Sequence, residues 1–182
     1  DHDLVYQASN IVGSSLAAYR LVDAVSGQVK HLSGLKNLHV MPVTAAIQIP
    51  EDERFDYKWH QESSFYPWAE DIVNVWIPLQ PTRVGTGTMF LLPGSHEGGR
   101  REANQYFSHG SFRQIECATG DESIGVPMEL DLGQYVIFDG NTVHRCDSNR
   151  GAAPRVVIIM RFISAETLKK LRPLYKALSY EE

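Results

Sequence analysis

Between residues 4 and 25 the apolar positions Leu4, Ala8, Ile11, Val12, Leu16, Tyr19 and Val22 recur near a 3.6-residue period. That spacing predicts an amphipathic N-terminal helix over residues 1–27, with Gly27 as its C-terminal cap. Beyond it the texture changes to short runs rich in β-branched and aromatic residues, bounded by Pro, Gly or Asp: 44–49, 57–62, 72–79, 86–92, 128–130, 134–138 and 156–163. Short strands with turn chemistry between them and no interleaved helical pattern predict an antiparallel sandwich or barrel over 44–163. Pro78, Pro81 and Pro93 stand at strand ends, where a missing N–H is tolerated. Residues 94–125 carry no period and are rich in Gly, Ser, Arg and acidic side chains. A stretch of that kind is expected to be a mobile cover over the barrel mouth. A closing helix is expected at 165–178. Ser164 would be its N-cap, with Glu166 in the first turn, Leu168, Leu171, Tyr175 and Leu178 on its apolar face, and Pro173 a kink. With no repeat or linker, the pattern reads as one mostly β domain over 1–182.

Composition narrows the partners. The 182 residues are 43% hydrophobic and 21% charged, as expected of an ordinary globular chain. A net charge of −5 and a pI near 5.8 argue against nucleic-acid or anionic-membrane binding, which needs a basic face. No apolar run approaches the roughly 18 residues of a membrane span, and no charged-then-apolar leader opens the chain. Cys117 and Cys146 are too few for a disulfide framework, so a reducing cytoplasm is expected. The first residue is Asp1 rather than Met, from which a processed or trimmed start is expected.

Candidate chemistry gathers at two places. Trp59-His60-Gln61-Glu62 sets an imidazole and a carboxylate two residues apart on an expected strand, where i and i+2 share a face. Phe138-Asp139-Gly140-Asn141-Thr142-Val143-His144 places a second histidine just after another strand. Two histidines and one carboxylate make a facial triad that leaves three positions open on iron(II). A bidentate cosubstrate fills two of these and O₂ the third. A solvated His–Glu pair has the same H-x-E spacing, and His31, His39, His96 and His109 show that histidine is not scarce. The ordered set distinguishes the two: H-x-E, a distant histidine, then Arg155 opening the apolar run Val156-Val157-Ile158-Ile159-Met160. A charge at the head of a buried strand needs a partner. A guanidinium fork suits the distal carboxylate of a diacid, Asp147 is the alternative partner, and Arg161, which shares the face of Arg155 by parity, is the other candidate anchor if the register differs.

These residues resemble the phytanoyl-CoA dioxygenase-like family of iron(II)/2-oxoglutarate oxygenases. Three stretches carry the likeness: Trp59-His60-Gln61-Glu62-Ser63-Ser64-Phe65; Asn74-Val75-Trp76-Ile77-Pro78-Leu79 with the later Pro93-Gly94-Ser95-His96; and 138–161, where Arg155 follows His144 by eleven positions. The resemblance implies a double-stranded β-helix (jelly-roll, cupin-like barrel) with flanking N- and C-terminal helices. It implies Fe(II) on His60, Glu62 and His144, and 2-oxoglutarate with its distal carboxylate on Arg155 and a further polar contact from Gln48. His96 and Trp76 are expected to be structural. The implied reaction is O₂-dependent hydroxylation of a small molecule, releasing succinate and CO₂. The chain departs from the family pattern in having Glu62 where Asp is usual and Cys146 where a small hydroxyl residue is frequent. The segment before H-x-E is also short, so a compact member or a pocket lacking part of its wall is expected.

Two rival functions share such a barrel. A cupin-type metal isomerase or lyase would use Gly133, Asp139-Gly140 and His144, but its first motif wants H-x-H where Glu62 stands. A catalytically silent binding module is the other, and the presence of all three ligands and the arginine counts against it. Tyr57, Lys58, Tyr66, Trp68, Arg83 and the 94–125 segment are candidates for the substrate mouth.

Overall fold

The computed structural model describes residues 2–53, 56–108, 112–119 and 122–176. Two helices, α1 (His2–Gly13) and α2 (Leu16–Ser33), precede the strands β1 (Leu38–Val40), β2 (Thr44–Gln48) and β3 (Tyr57–His60). A single helical turn, α3 (Glu62–Phe65), leads to β4 (Val73–Pro78) and β5 (Met89–Leu91). The hairpin β6 (Ala103–Ser108) and β7 (Phe112–Cys117) follows, then β8 (Val126–Pro127), β9 (Val136–Asp139), β10 (His144–Cys146) and β11 (Arg155–Ser164), and α4 (Ala165–Lys176) closes the chain.

Strand β11 organises the larger antiparallel sheet. One edge pairs with β4, which in turn pairs with β9; the other edge pairs with β1 at one end and β2 at the other. The smaller sheet runs β3-β10-β5-β8. Side-chain parity divides the larger sheet cleanly. Ile158, Met160 and Phe162 of β11, with Val73, Val75 and Ile77 of β4, pack outward against Ala18, Val22, Val25 and Val29 of α2. Those four helix positions fall on one stripe, which is why α2 lies along the sheet. The opposite face looks inward, where Trp76, Phe138 and Val157 meet Met89, Leu91 and Cys146 of the smaller sheet. Two facing antiparallel sheets around that interior form the expected mostly β jelly-roll barrel, with helices at both ends.

Several expected elements differ in detail. The helix expected over 1–27 is two helices, broken at Ser14-Ser15. Ser15 caps α2 by accepting from Ala18 N at 3.2 Å, and α2 runs past Gly27 to a left-handed cap at Gly34 (φ 68°). At the break Gly13 sits so close to β2 that a Cβ there would lie 2.5 Å from the Val43 carbonyl oxygen. The strand expected over 57–62 stops at His60, because the Ser63 N–H turns away to the Gly140 carbonyl at 3.0 Å. Glu62 therefore opens α3 rather than sharing a strand face with His60. The run expected at 128–130 contributes a single bridge, Leu130 with Thr82, while β8 lies just before it.

The segment 94–125 is not structureless. It holds the β6–β7 hairpin, which is fixed to β3 by Lys58 Nζ–Glu116 Oε2 at 2.9 Å and by Gln114 Nε2 donating to Asp56 O at 3.3 Å. Ser164 caps α4, its Oγ accepting from Thr167 N at 3.1 Å. Of the expected apolar face of α4, Leu168 packs beside Ala69, Ile72 and Ile163, and Leu178 lies outside the described residues.

Candidate active site

Strand pairing brings the two histidines together. His60 ends β3, His144 begins β10, and the two are direct cross-strand partners with ring centroids 4.2 Å apart. Each ring is fixed from behind: His60 Nδ1 meets the Lys58 carbonyl at 2.6 Å, and His144 Nδ1 meets the Thr142 carbonyl at 2.9 Å. A carbonyl only accepts, so Nδ1 carries the proton and Nε2 presents its lone pair, the tautomer a metal requires. Phe138 and Phe65 stand edge-on to His144 and His60 at 4.9 and 5.6 Å.

Glu62 completes the cluster. Ligand atoms of His60, Glu62 and His144 lie within 4.8 Å of one another, the one such group of three among the described residues. All three are buried, at 6%, 6% and 5% exposure, which rules out the solvated-pair alternative for H-x-E. Burial lowers the His60 imidazole, and burial together with His60 pushes His144 down to about 3. Burial alone would raise the Glu62 carboxyl. The Arg161 guanidinium and the two imidazoles outweigh it and hold that carboxyl below its ordinary value. Neutral imidazoles beside an ionised carboxylate are the donor set a divalent metal of mixed N/O preference takes, so the residues fit Fe(II).

Arg155 stands on the same inward face of β11, in a cavity of about 220 Å³ that the triad also lines. It is 3% exposed. Its Nη2 donates to Gln48 Oε1 at 2.6 Å, whereas Nε and Nη1 reach no acceptor. Burial lowers its pKa, and Cys146, Tyr57 and Asp56 only partly offset this. Asp147, the alternative partner, instead pairs with Arg145 at 2.9 Å. Gln48 is itself clamped, Nε2 donating to Asp56 Oδ1 at 3.1 Å and Asp147 O at 2.8 Å. Its amide oxygen thus orients the arginine. Gly87 (φ 77°) closes over the pair, and a Cβ there would fall 2.2 Å from Gln48 Oε1. Cys146 also lines the cavity, and burial pushes its thiol up, so it is present as a neutral group.

The rest of the wall is mainly apolar: Ala46, Ile47, Phe65, Trp76, Met89 and Ile159, with Tyr57 and Tyr66. Trp76 is core, as expected, and also lies beneath Arg155, whose guanidinium carbon is 5.9 Å from the ring centroid. Of the expected mouth residues, Tyr57 and Tyr66 are on the wall. Lys58 is engaged by Glu116, Arg83 is paired with Asp131, and no residue of 94–125 lines the cavity among those described. Helix α1 takes that place through Val5, Ser9 and Asn10.

Three supporting residues hold roles that the sequence alone does not assign. Gln61, fully buried, donates to the carbonyls of Gly99 (2.9 Å) and Asn141 (2.6 Å) and accepts from Arg101 N (2.7 Å), tying the H-x-E turn to the loop before His144. Ser95 of the P-G-S-H turn accepts from Val143 N at 2.8 Å, fixing the residue next to His144, while His96 is exposed and outside the cluster. Arg161 is the third. Its Nε donates to Glu62 Oε1 at 2.6 Å, a pairing that its parity with Arg155 hinted at but could not assign.

Comparison with known proteins agrees with this geometry. The family model described as phytanoyl-CoA dioxygenase matches residues 4–157. Phytanoyl-CoA dioxygenase 1 of Oryza sativa subsp. japonica is 26% identical over 114 residues, covering 59% of this chain and 38% of the relative. The 1-deoxypentalenic acid 11-beta-hydroxylase of Streptomyces exfoliatus is 33% identical over 103 residues, covering 52% and 35%. The chain thus spans little more than a third of the length of these curated relatives. Among solved structures, EvdO2 from Micromonospora carbonacea var. aurantiaca complexed with 2-oxoglutarate superposes with a TM-score of 0.70 at 20% identity, covering 82% of this chain and 64% of that one. The epimerase SnoN in complex with Fe3+, alpha ketoglutarate and nogalamycin RO gives 0.68 at 16% identity, covering 86% and 62%. These two likenesses support the barrel fold. The family match runs over most of the barrel and includes His60, Glu62, His144 and Arg155, and the chain belongs to the phytanoyl-CoA dioxygenase family.

Proposed function

We propose that the chain is an iron(II)- and 2-oxoglutarate-dependent oxygenase that hydroxylates a small molecule. The observation that carries this reading is the pairing, within one cavity, of a buried His-Glu-His cluster with a buried guanidinium that has two nitrogens unpartnered. His60, Glu62 and His144 would hold the metal, and Arg155 would take the distal carboxylate of the cosubstrate on its guanidinium, where Nε and Nη1 reach no acceptor. Bound together, iron(II) and 2-oxoglutarate supply O₂ activation, with succinate and CO₂ as co-products.

The protein's own contribution is placement. The Lys58 and Thr142 carbonyls hold the imidazoles in the coordinating tautomer. Gln48 sets the arginine's rotamer, and Gly87 leaves room for that contact. The apolar wall of Met89, Phe138, Trp76 and Ile159 excludes water from the centre, which strengthens every charge interaction within it. That wall favours a predominantly apolar substrate, entering from the side bounded by α1 and Tyr66. A cupin-type isomerase would leave the unpartnered nitrogens of Arg155 without a task, and a silent binding module would leave the buried His-Glu-His cluster without one. No helix among the described residues is long and apolar enough to cross a membrane.

The test is uncoupled turnover. Protein with iron(II), O₂, 2-oxoglutarate and ascorbate as reductant, but no substrate, should release succinate slowly and stoichiometrically with CO₂. Absence of succinate from metal-loaded protein, with a panel of apolar small molecules also present, refutes the reading.

A further inference from the structure

The guanidinium of Arg161 is built into the triad. Its Nε donates to Glu62 Oε1 at 2.6 Å, and its Nη1 donates to Thr44 Oγ1 at 3.1 Å on the neighbouring strand. The Tyr66 ring covers it, with the guanidinium carbon 5.6 Å from the centroid. The two side chains of the ion pair are 11% and 8% exposed. So short a charge-assisted bond, shielded from water, is much stronger than a surface pair and directional.

The consequence lies in the second carboxylate oxygen. A carboxylate can ligate a metal through one oxygen or both. Glu62 has one methylene more than the aspartate usual at this position, and it projects from a helical turn rather than a strand. Left alone, such a side chain has the reach to swing both oxygens onto a metal. We propose that Arg161 is a positioning residue that confines Glu62 to ligation through Oε2, so that three positions stay open, two for a bidentate cosubstrate and a third for O₂. The proposal rests on the iron/2-oxoglutarate reading above. It assigns different tasks to the two arginines on the inward face of β11: Arg155 meets the cosubstrate, and Arg161 meets the ligand.

Oxalate separates these tasks, because it chelates a metal through two oxygens but has no distal carboxylate for Arg155. Iron(II), 2-oxoglutarate and oxalate are titrated anaerobically into the parent protein and into Arg161→Met, Arg161→Lys, Arg155→Met and Thr44→Val, and nitric oxide, standing in for O₂ at the third position, is then titrated into each chelate complex. Arg161→Met should still bind iron(II) and both chelators, but its chelate complexes should lose about tenfold or more in affinity for nitric oxide, the scale on which such supporting partners act. Arg161→Lys, which keeps one charged donor, should recover most of that loss. Arg155→Met should weaken 2-oxoglutarate alone.

The proposal is overturned if Arg161→Met weakens 2-oxoglutarate but not oxalate, since Arg161 would then be the anchor. It is equally overturned if nitric oxide binds the chelate complexes as in the parent, or if iron(II) itself is lost. Thr44→Val, at an exposed position, keeps the test open should Arg161→Met fail to fold. It should weaken nitric oxide binding in the same direction by a smaller factor, and no shift overturns the proposal. A parent that binds no iron(II), or binds it but neither chelator, refutes the iron/2-oxoglutarate reading instead.

Discussion

The two ends of the inward face of β11 hold the same chemical group in opposite states. At one end Arg161 donates to Glu62 and Thr44 and lies against Tyr66. At the other, Arg155 is more deeply buried, meets Gln48 and the Cys146 thiol, and keeps Nε and Nη1 without an acceptor among the described residues. Removing a guanidinium from water costs several kcal/mol unless charge and hydrogen bonds compensate it. The Arg161 end meets that cost within the folded chain. The Arg155 end does not, and it sits in a cavity lined by three metal-type ligands. A buried charge with its partner in place is architecture, and one without a partner marks where a ligand of opposite charge belongs.

The sharpest way to break this contrast is to remove a partner at each end. Glu62→Ala strands Arg161 without its counter-charge and should cost the metal-free protein about 3–5 kcal/mol, the range for halving a buried pair. Urea denaturation of the apoprotein reads this as a lowered midpoint, and the same variant should bind no iron(II). At the opposite end Arg155→Met removes a charge whose burial the described residues offset only in part. Apoprotein stability should therefore stay level or rise, because apolar replacement of poorly compensated buried charge is neutral or stabilising by about 1–4 kcal/mol. The same variant should lose 2-oxoglutarate affinity by a factor on the order of 30 to 1,000, at about 1.4 kcal/mol per tenfold. A marked loss of apoprotein stability in Arg155→Met would mean that its charge is satisfied within the fold, and the contrast would fall.

Two smaller effects sharpen the picture. Gly87→Ala puts a Cβ against Gln48 Oε1 and forces a side chain into a left-handed conformation. It should cost about 1–2 kcal/mol of stability and weaken 2-oxoglutarate binding without touching oxalate, as binding titrations would show. The smallest effect is on pH. The His144 imidazole is lowered from an ordinary 6.5 to about 3, so the unfolded chain binds a proton there that the folded chain refuses. Stability must then rise with pH across that window and be lost as pH falls below 6.5. Between pH 6.5 and 5.5 one such group removes about 1 kcal/mol, measurable as a falling melting temperature of the apoprotein. His144→Gln should flatten that slope.

Much of this site is legible in the sequence, and the reasons are local. His60, His144 and Arg155 are carried by short strands whose alternation is easily read, and the inward parity of Arg155, Val157, Ile159 and Arg161 follows from the period of a strand. Glu62 was placed on the wrong element because nothing in H-x-E announces that Ser63 bonds to Gly140, far along the chain. The pairing of Arg161 depends on that turn and was hidden with it. Gln48 reads in the sequence as a cosubstrate contact, whereas its amide oxygen faces Arg155 and its amide nitrogen faces Asp56 and Asp147. The break between α1 and α2 was invisible because the apolar period runs through it; what stops the helix is the tertiary contact of Gly13 with Val43. The hairpin in 94–125 was missed for the converse reason. Its first strand, Ala-Asn-Gln-Tyr-Phe-Ser, has no continuous apolar face to betray a period.

The central claim is that one cavity holds iron(II) at His60, Glu62 and His144 together with 2-oxoglutarate. It is tested most directly by anaerobic addition of iron(II) and then 2-oxoglutarate, followed by visible absorption. The parent protein should develop a charge-transfer band that saturates at one iron per chain, and His60→Ala/His144→Ala should develop none. A parent protein without the band at saturating iron(II) and 2-oxoglutarate, or a double variant that keeps it, would contradict the claim.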